Sequence, residues 1–162
     1  MTARTTYSRL QIALHWLIAL LIITTWFLGD GMGRVWRQRI ENGQTGFDGN
    51  TLHIWLGMAV FALVLLRLLV RRVQGSPAPL PGTPRPMELA AHWGHRLLYL
   101  LILLVPASGM SGWYLGLRAA GDIHETSAQA LMLLALAHAA AALFHQFILR
   151  DGTLRRMVGR AG

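Results

Sequence analysis

Apolar residues run along this chain in four long blocks, separated by short stretches where charge, glycine and proline gather. The windows Leu10–Gly29, Gly49–Leu66, Leu97–Leu117 and Thr126–Leu149 contain no Asp, Glu, Lys or Arg and hold 20, 18, 21 and 24 residues. A helix rises about 1.5 Å per residue, so a bilayer-spanning helix needs about 20 apolar positions. The pattern predicts an all-α membrane protein: an up-and-down bundle of four transmembrane helices over about residues 7–29, 51–71, 88–117 and 122–149. Four charge-free windows of this length in 162 residues argue against a soluble bundle with a large core.

The segments between the blocks refine this reading. A cleavable signal has an apolar region of only about 7–15 residues followed by small residues at the cut site. The first window is longer and runs out through Trp26-Phe27-Leu28-Gly29-Asp30, so it is expected to be a retained helix. Residues 30–50 read as a polar, glycine-bearing outer loop with Trp36 as an interface anchor. Residues 76–86 carry five of the six prolines and predict an extended, non-helical connector on the cytoplasmic side. Pro106 is expected to kink the third helix. A short outer turn is expected around Ala119–Gly121, and the basic tail Arg150–Gly162 is expected at the lipid headgroups. No internal repeat is visible, so residues 1–162 read as one domain.

Composition agrees, with 54 % hydrophobic residues and a positive mean hydropathy. All 15 basic residues are arginine. Arg4, Arg9, Arg67, Arg71, Arg72, Arg85, Arg96, Arg150, Arg155, Arg156 and Arg160 fall on one side of the expected topology. Arg34, Arg37, Arg39 and Arg118 fall on the other. The positive-inside rule therefore predicts that both termini are cytoplasmic. The net charge of +8 is a topology signal; nucleic-acid binding would want a soluble basic face. The chain has no cysteine, which excludes disulfides, thiolate ligands and iron–sulfur clusters held by this chain.

Histidines carry the chemistry. His124 and His138 lie 14 residues apart on the fourth block. That is close to four turns, so both leave one face, offset by roughly 40° and separated by about 21 Å. His15 lies in the inner half of the first helix, and His53 near the outer start of the second. Depth pairs His53 with His124 at the outer level and His15 with His138 at the inner one. Each pair offers two imidazoles to one iron, the arrangement of a six-coordinate b-type haem, and the gap has room for two such groups. Polar side chains at bilayer depth are costly and usually functional. Both axial positions filled favours electron transfer over oxygen binding.

His92, His95 and His145, with Arg96, fall near the inner surface. There they can meet haem propionates or a quinone headgroup, or simply sit at the interface; a histidine can supply both hydrogen bonds and protons near neutral pH. Gly109, Gly112 and Gly116 on the third helix, and Ala139–Ala142 after His138, allow close helix approach in lipid or admission of a flat macrocycle. Trp16, Trp26, Trp55, Trp93 and Trp113 mostly read as an aromatic belt.

Tyr7-Ser8-Arg9-Leu10-Gln11-Ile12 followed by His15-Trp16 resembles the opening of prokaryotic cytochrome b561 proteins. So do Ala91-His92-Trp93-Gly94-His95, His124-Glu125-Thr126, the run from Leu136 through His138 to His145, and Asp151-Gly152-Thr153-Leu154-Arg155-Arg156-Met157. The likeness covers essentially the whole chain. It implies that His15, His53, His124 and His138 are the axial ligands of two haems b. It further implies a multi-pass protein of the bacterial inner membrane that reacts with quinone, ubiquinone being the expected electron acceptor.

A member of that family oxidises superoxide on the periplasmic side and passes the electron to ubiquinone, so superoxide:ubiquinone oxidoreductase activity is one expectation. In the outer loop, however, Arg34, Arg37 and Arg39 are balanced by Asp30, Glu41 and Asp48, whereas steering of a small anion wants a net positive funnel. A second expectation is a relay that accepts electrons from a periplasmic redox protein such as a dehydrogenase. A third is a haem-free proton or metal-ion transporter lined by histidine. The partners expected are lipid, quinone and one of these donors, with no nucleic acid.

Overall fold

A computed structural model of the chain describes residues 6–78 and 83–159. Arg4, Arg160 and residues 79–82 of the proline-rich connector lie outside the described residues. The four expected spanning helices are α1 (Arg9–Phe27), α3 (Leu52–Gln74), α4 (Arg85–Leu115) and α5 (Arg118–Phe144). A π-helical turn, His145–Leu149, prolongs α5. All four are long and apolar enough to cross a membrane. Their burial pattern is that of a lipid-solvated bundle: the small interior centres on Ile18, Val60 and Val64, while Leu20, Phe27, Leu100, Leu133 and Leu136 face outward. In hydrocarbon there is no gain in hiding leucine from the solvent, so large apolar side chains stay outside and packing is left to close contact.

Three segments differ from the sequence expectation. The first is the outer loop, which contains a fifth helix, α2 (Met32–Glu41). Gly31 starts it in a left-handed conformation (φ 78°) that a side chain would resist. No apolar block announced it, because its stripe is short and polar on one side.

The second is the connector, which ends sooner than expected. Arg85 and Pro86 already belong to α4, since proline in a first helical turn lacks only an N–H that would have no partner there. The third, at the other end of α4, is the turn to α5, which shrinks to Gly116 and Leu117. Gly116 takes the left-handed C-terminal position (φ 68°), and Arg118-Ala119-Ala120, all good helix formers, begin α5 at once.

The start of α1 is tied to the end of α3. Ser8 caps α1 by accepting from the Gln11 N–H at 3.2 Å, and its own N–H donates to Gln11 Oε1. The Ser8 hydroxyl then donates to Gln74 at 2.6 Å, and Gln11 Nε2 donates to the Gly75 carbonyl at 2.9 Å. The Trp16 indole N–H donates to the Met157 carbonyl at 3.0 Å, folding the tail back onto α1. One end of the bundle thus carries the tail, and the opposite end carries α2.

Candidate functional site

α1 packs on α3, α3 on α4, and α4 on α5. The histidines face one another across the space these helices enclose. At the α2 end, His53 of α3 meets His124 of α5, with ring centres 6.1 Å apart and planes at 86°. At the tail end, His15 of α1 meets His138 of α5, with ring centres 6.4 Å apart and planes at 78°.

These spacings have a chemical meaning. A metal–imidazole bond is about 2 Å long. Adding roughly 1.1 Å from nitrogen to ring centre on each side puts two imidazoles bound to one metal about 6.3 Å apart, centre to centre. Both pairs match that value. The contact between His95 of α4 and His138, at 5.2 Å, is too short for an ion between the rings. Among the described residues no three His, Cys, Asp or Glu side chains converge as a bare metal ion requires. A porphyrin iron needs only two axial donors, because the macrocycle fills the other positions.

At the α2 end the backbone fixes both imidazoles. His53 Nδ1 lies 2.9 Å from the Thr25 carbonyl, and His124 Nδ1 lies 2.7 Å from the Val105 carbonyl. A carbonyl only accepts, so each Nδ1 carries the proton and each Nε2 keeps its lone pair for a ligand. The Thr25 carbonyl is free for this because α1 ends there: the Gly29 N–H turns back to Trp26 instead. Gly109 makes room for His124, since a Cβ at that position would stand 2.7 Å from His124 Nδ1. Of the three glycines on α4, Gly109 admits the imidazole, Gly112 lies against the backbone of Gly121, and Gly116 ends the helix.

Both histidines line an open-sided cavity of about 850 Å³ formed by α1, α3, α4 and α5, with α2 across one end. Trp36 of α2 lines this end and packs on α5, where a Cβ on Gly121 would stand only 2.5 Å from the Trp36 ring. Trp36 is therefore a packed roof element, whereas the sequence suggested a surface anchor. The indole N–H groups of Trp36 and Trp113 are buried without a hydrogen-bond partner, and both residues line this cavity. An unpaired buried donor costs about 1–3 kcal/mol, so both indoles are left wanting an acceptor.

Arg39 braces the roof. It is 5 % exposed, stacks 4.5 Å over the Trp113 ring, and donates to Asp48 at 2.7 Å and to the Gly46 carbonyl at 2.9 Å. Sequence reasoning counted it only as a loop charge.

The residues expected near the inner surface divide among separate contacts. His95 donates from Nδ1 to the Ala91 carbonyl at 2.6 Å and stands beside His138. His92 packs edge-on to Trp93, and Arg96 lies 5.1 Å over the Trp93 ring. His145 hydrogen-bonds Asp151 just after α5. The sequence reading missed Arg67, which is buried at this end although it sits in an apolar run. Its signal was present: a lone arginine 14 residues after His53 repeats the His124–His138 interval.

The donor set thus fits flat, iron-centred groups carrying acceptor side chains, one between each histidine pair. Comparison with known proteins bears on this. The family model described as prokaryotic cytochrome b561 matches residues 6–160. Cytochrome b562 of Cereibacter sphaeroides is 44% identical over 158 residues, covering 98% of each chain. A protein of Yersinia pestis named probable superoxide oxidase CybB is 32% identical over 181 aligned positions, covering 94% of this chain and 95% of its own. Cytochrome b561 homolog 1 of Escherichia coli is 30% identical, covering 95% of this chain and 97% of its own.

Proposed function

The chain belongs to the prokaryotic cytochrome b561 family of electron-transfer proteins, and from that premise we propose that it is a di-haem b-type cytochrome. It carries electrons between the periplasmic face and the quinone pool of the bacterial inner membrane. The observation that carries this reading is the pair of ring separations, 6.1 Å for His53 with His124 and 6.4 Å for His15 with His138. When bound, each haem would supply one reversible electron.

The chain's own residues do the rest. His53 and His124, their rings held by the Thr25 and Val105 carbonyls, would hold the outer iron through Nε2. Trp36 and Trp113, whose N–H groups have no partner, would be candidate donors to that haem's acidic side chains. His15 and His138 would hold the inner iron. The arginine count puts the tail end in the cytoplasm. Quinone, ubiquinone by the family's habit, meets the chain there. His95 is the foremost of His92, His95, Arg96 and His145 as its contact, because it already stands beside His138.

For the electron donor, the rim of the outer cavity favours a docked redox protein over a small anion. Asp30, Asp122 and Glu125 line it against a single guanidinium, Arg37, which repels superoxide more than it steers it. The relative named probable superoxide oxidase keeps the other reading in view. Superoxide given to the purified protein separates the two: rapid quinone reduction identifies an enzyme, and none identifies a relay.

The di-haem reading is tested by haem content. Wild-type protein carries two haems per chain in a pyridine-haemochrome assay. His124→Ala removes the outer haem and His138→Ala the inner one, each leaving about half the haem. A colourless preparation would overturn the reading in favour of a transporter, and two retained haems in His138→Ala would overturn the pairing.

A further inference from the structure

Arg67 sits in the middle of Leu65-Leu66-Arg67-Leu68-Leu69 on α3, yet it is 8 % exposed. Its two hydrogen-bond partners are neutral. NH1 donates to the Gln11 carbonyl at 2.6 Å, and Nε to the Tyr99 hydroxyl at 3.3 Å. The ion pairs among the described residues are Arg39 with Asp48 and His145 with Asp151, so no carboxylate of the described chain neutralises Arg67. A charge withdrawn from water without a counter-charge costs several kcal/mol. Charged residues inside membranes accordingly face the bundle interior and find a partner.

The position of Arg67 names that partner. It follows His53 on α3 by 14 residues, the interval that separates His124 from His138 on α5. Four turns bring it back to the face of α3 that presents His53, about 21 Å deeper, at the level of His15 and His138. Gln11, whose carbonyl it holds, is one turn before His15 on α1. Arg67 thus borders the inner histidine pair. Arg71, one turn further along α3, lies 5.7 Å over the Tyr99 ring and adds a second cation. A haem b carries two carboxylates on one edge, and a guanidinium fork matches a carboxylate in geometry and charge.

We propose that Arg67 binds the carboxylate side chains of the inner haem, and that this cation makes the inner site the more easily reduced of the two. The inference rests on the di-haem reading. Its physical basis is the contrast in charge between the sites. A nearby cation favours the state with one more electron, as it favours any more negative form. The outer cavity offers neutral indole N–H groups and a rim richer in carboxylates than in guanidinium. The inner site offers arginine with no carboxylate paired to it among the described residues. An electron supplied from outside is drawn inward, toward the side where quinone is reduced.

The test is a spectroelectrochemical titration of the purified protein, with haem content measured first. Fewer than two haems in wild type would sink the di-haem reading itself; two haems leave this inference to be judged by the potentials. The wild-type titration resolves two midpoints. In His124→Ala, which retains only the inner haem, the remaining midpoint is the higher of the two. Arg67→Gln lowers that midpoint, by about 59 mV for a tenfold change in the reduced-to-oxidised ratio of a one-electron couple, and leaves the lower one in place. Resonance Raman spectra of the same variant show a shifted propionate bending band.

Arg67→Lys keeps the charge but loses the fork, so it shifts the Raman band while moving the midpoint less. It also serves if the glutamine variant fails to fold. Unchanged midpoints and band in either variant would overturn the proposal. So would a midpoint shift that appears only when quinone or anionic lipid is added back, since the anion would then be theirs.

Discussion

The two ends of this bundle solve one problem with different materials. At the α2 end, which the proposed orientation makes the outer one, each histidine is oriented by a backbone carbonyl, α2 lies across the cavity, and the unpaired donors are neutral indoles. At the inner end, His138 has another histidine for a neighbour, and a buried arginine borders the pair. Backbone carbonyls cannot titrate or leave, so the outer site is built for fixed geometry. On the function proposed above, side chains able to hydrogen-bond and carry charge suit an end where a quinone would take up protons with its electrons. One long helix, α5, supplies a histidine to both ends; the difference is imposed by what α1, α3 and α4 bring to each level.

That contrast can be broken most severely at Gly109. A Cβ there would stand 2.7 Å from His124 Nδ1, closer than any packing tolerates, so Gly109→Ala expels the imidazole from its carbonyl. The expected result is loss of most of the outer haem with the inner one retained, read as haem content and as the surviving midpoint. Gly94→Ala on the same helix, where a Cβ meets nothing within 4 Å, keeps both haems. Equal haem content in the two variants would mean that His124 does not need its present pose.

A smaller effect is expected at the inner end. His95→Ala removes a side chain that stands beside His138 without being placed between two rings as a ligand. Both haem spectra should survive nearly intact while quinone reduction slows several-fold in stopped-flow measurements. Wild-type kinetics in both His95→Ala and His145→Ala would move the quinone elsewhere.

The smallest effect belongs to the roof. The hydrogen bond from Arg39 holds the Asp48 carboxyl below its ordinary value of 3.8. A depressed folded-state value means that the ion pair's contribution is full at neutral pH and is lost as pH falls through the lowered value. Asp48→Asn should therefore slightly increase hydrogen exchange around residues 44–50 at pH 7 and flatten its acid dependence below pH 4. An unchanged acid profile would show that the neutral contacts of Arg39 hold the roof unaided.

What the sequence determined by itself is the part written in local periodicity. Charge-free windows of membrane length produce spanning helices wherever they occur, because backbone groups in hydrocarbon must be satisfied within the segment. The 14-residue interval from His124 to His138 sets two levels on one face, and helix direction sets the depths of His15 and His53, so the partners that meet could be matched without coordinates. The tertiary structure alone decided what those levels are made of. The helix in the outer loop, the burial of Arg39 beneath it and the turn of Trp36 into the roof depend on contacts with α4 and α5 that leave no periodic trace in a short polar segment. The carbonyl that orients His53 became free only because α1 ends at that height beside α3. Arg67 looked like one more topology charge among eleven, and only the packing of α1, α3 and α4 around it makes it a buried cation with no counter-charge among the described residues. Periodicity is a property of one helix, whereas the orientation of a ligand and the balance of charge around it are properties of several helices at once.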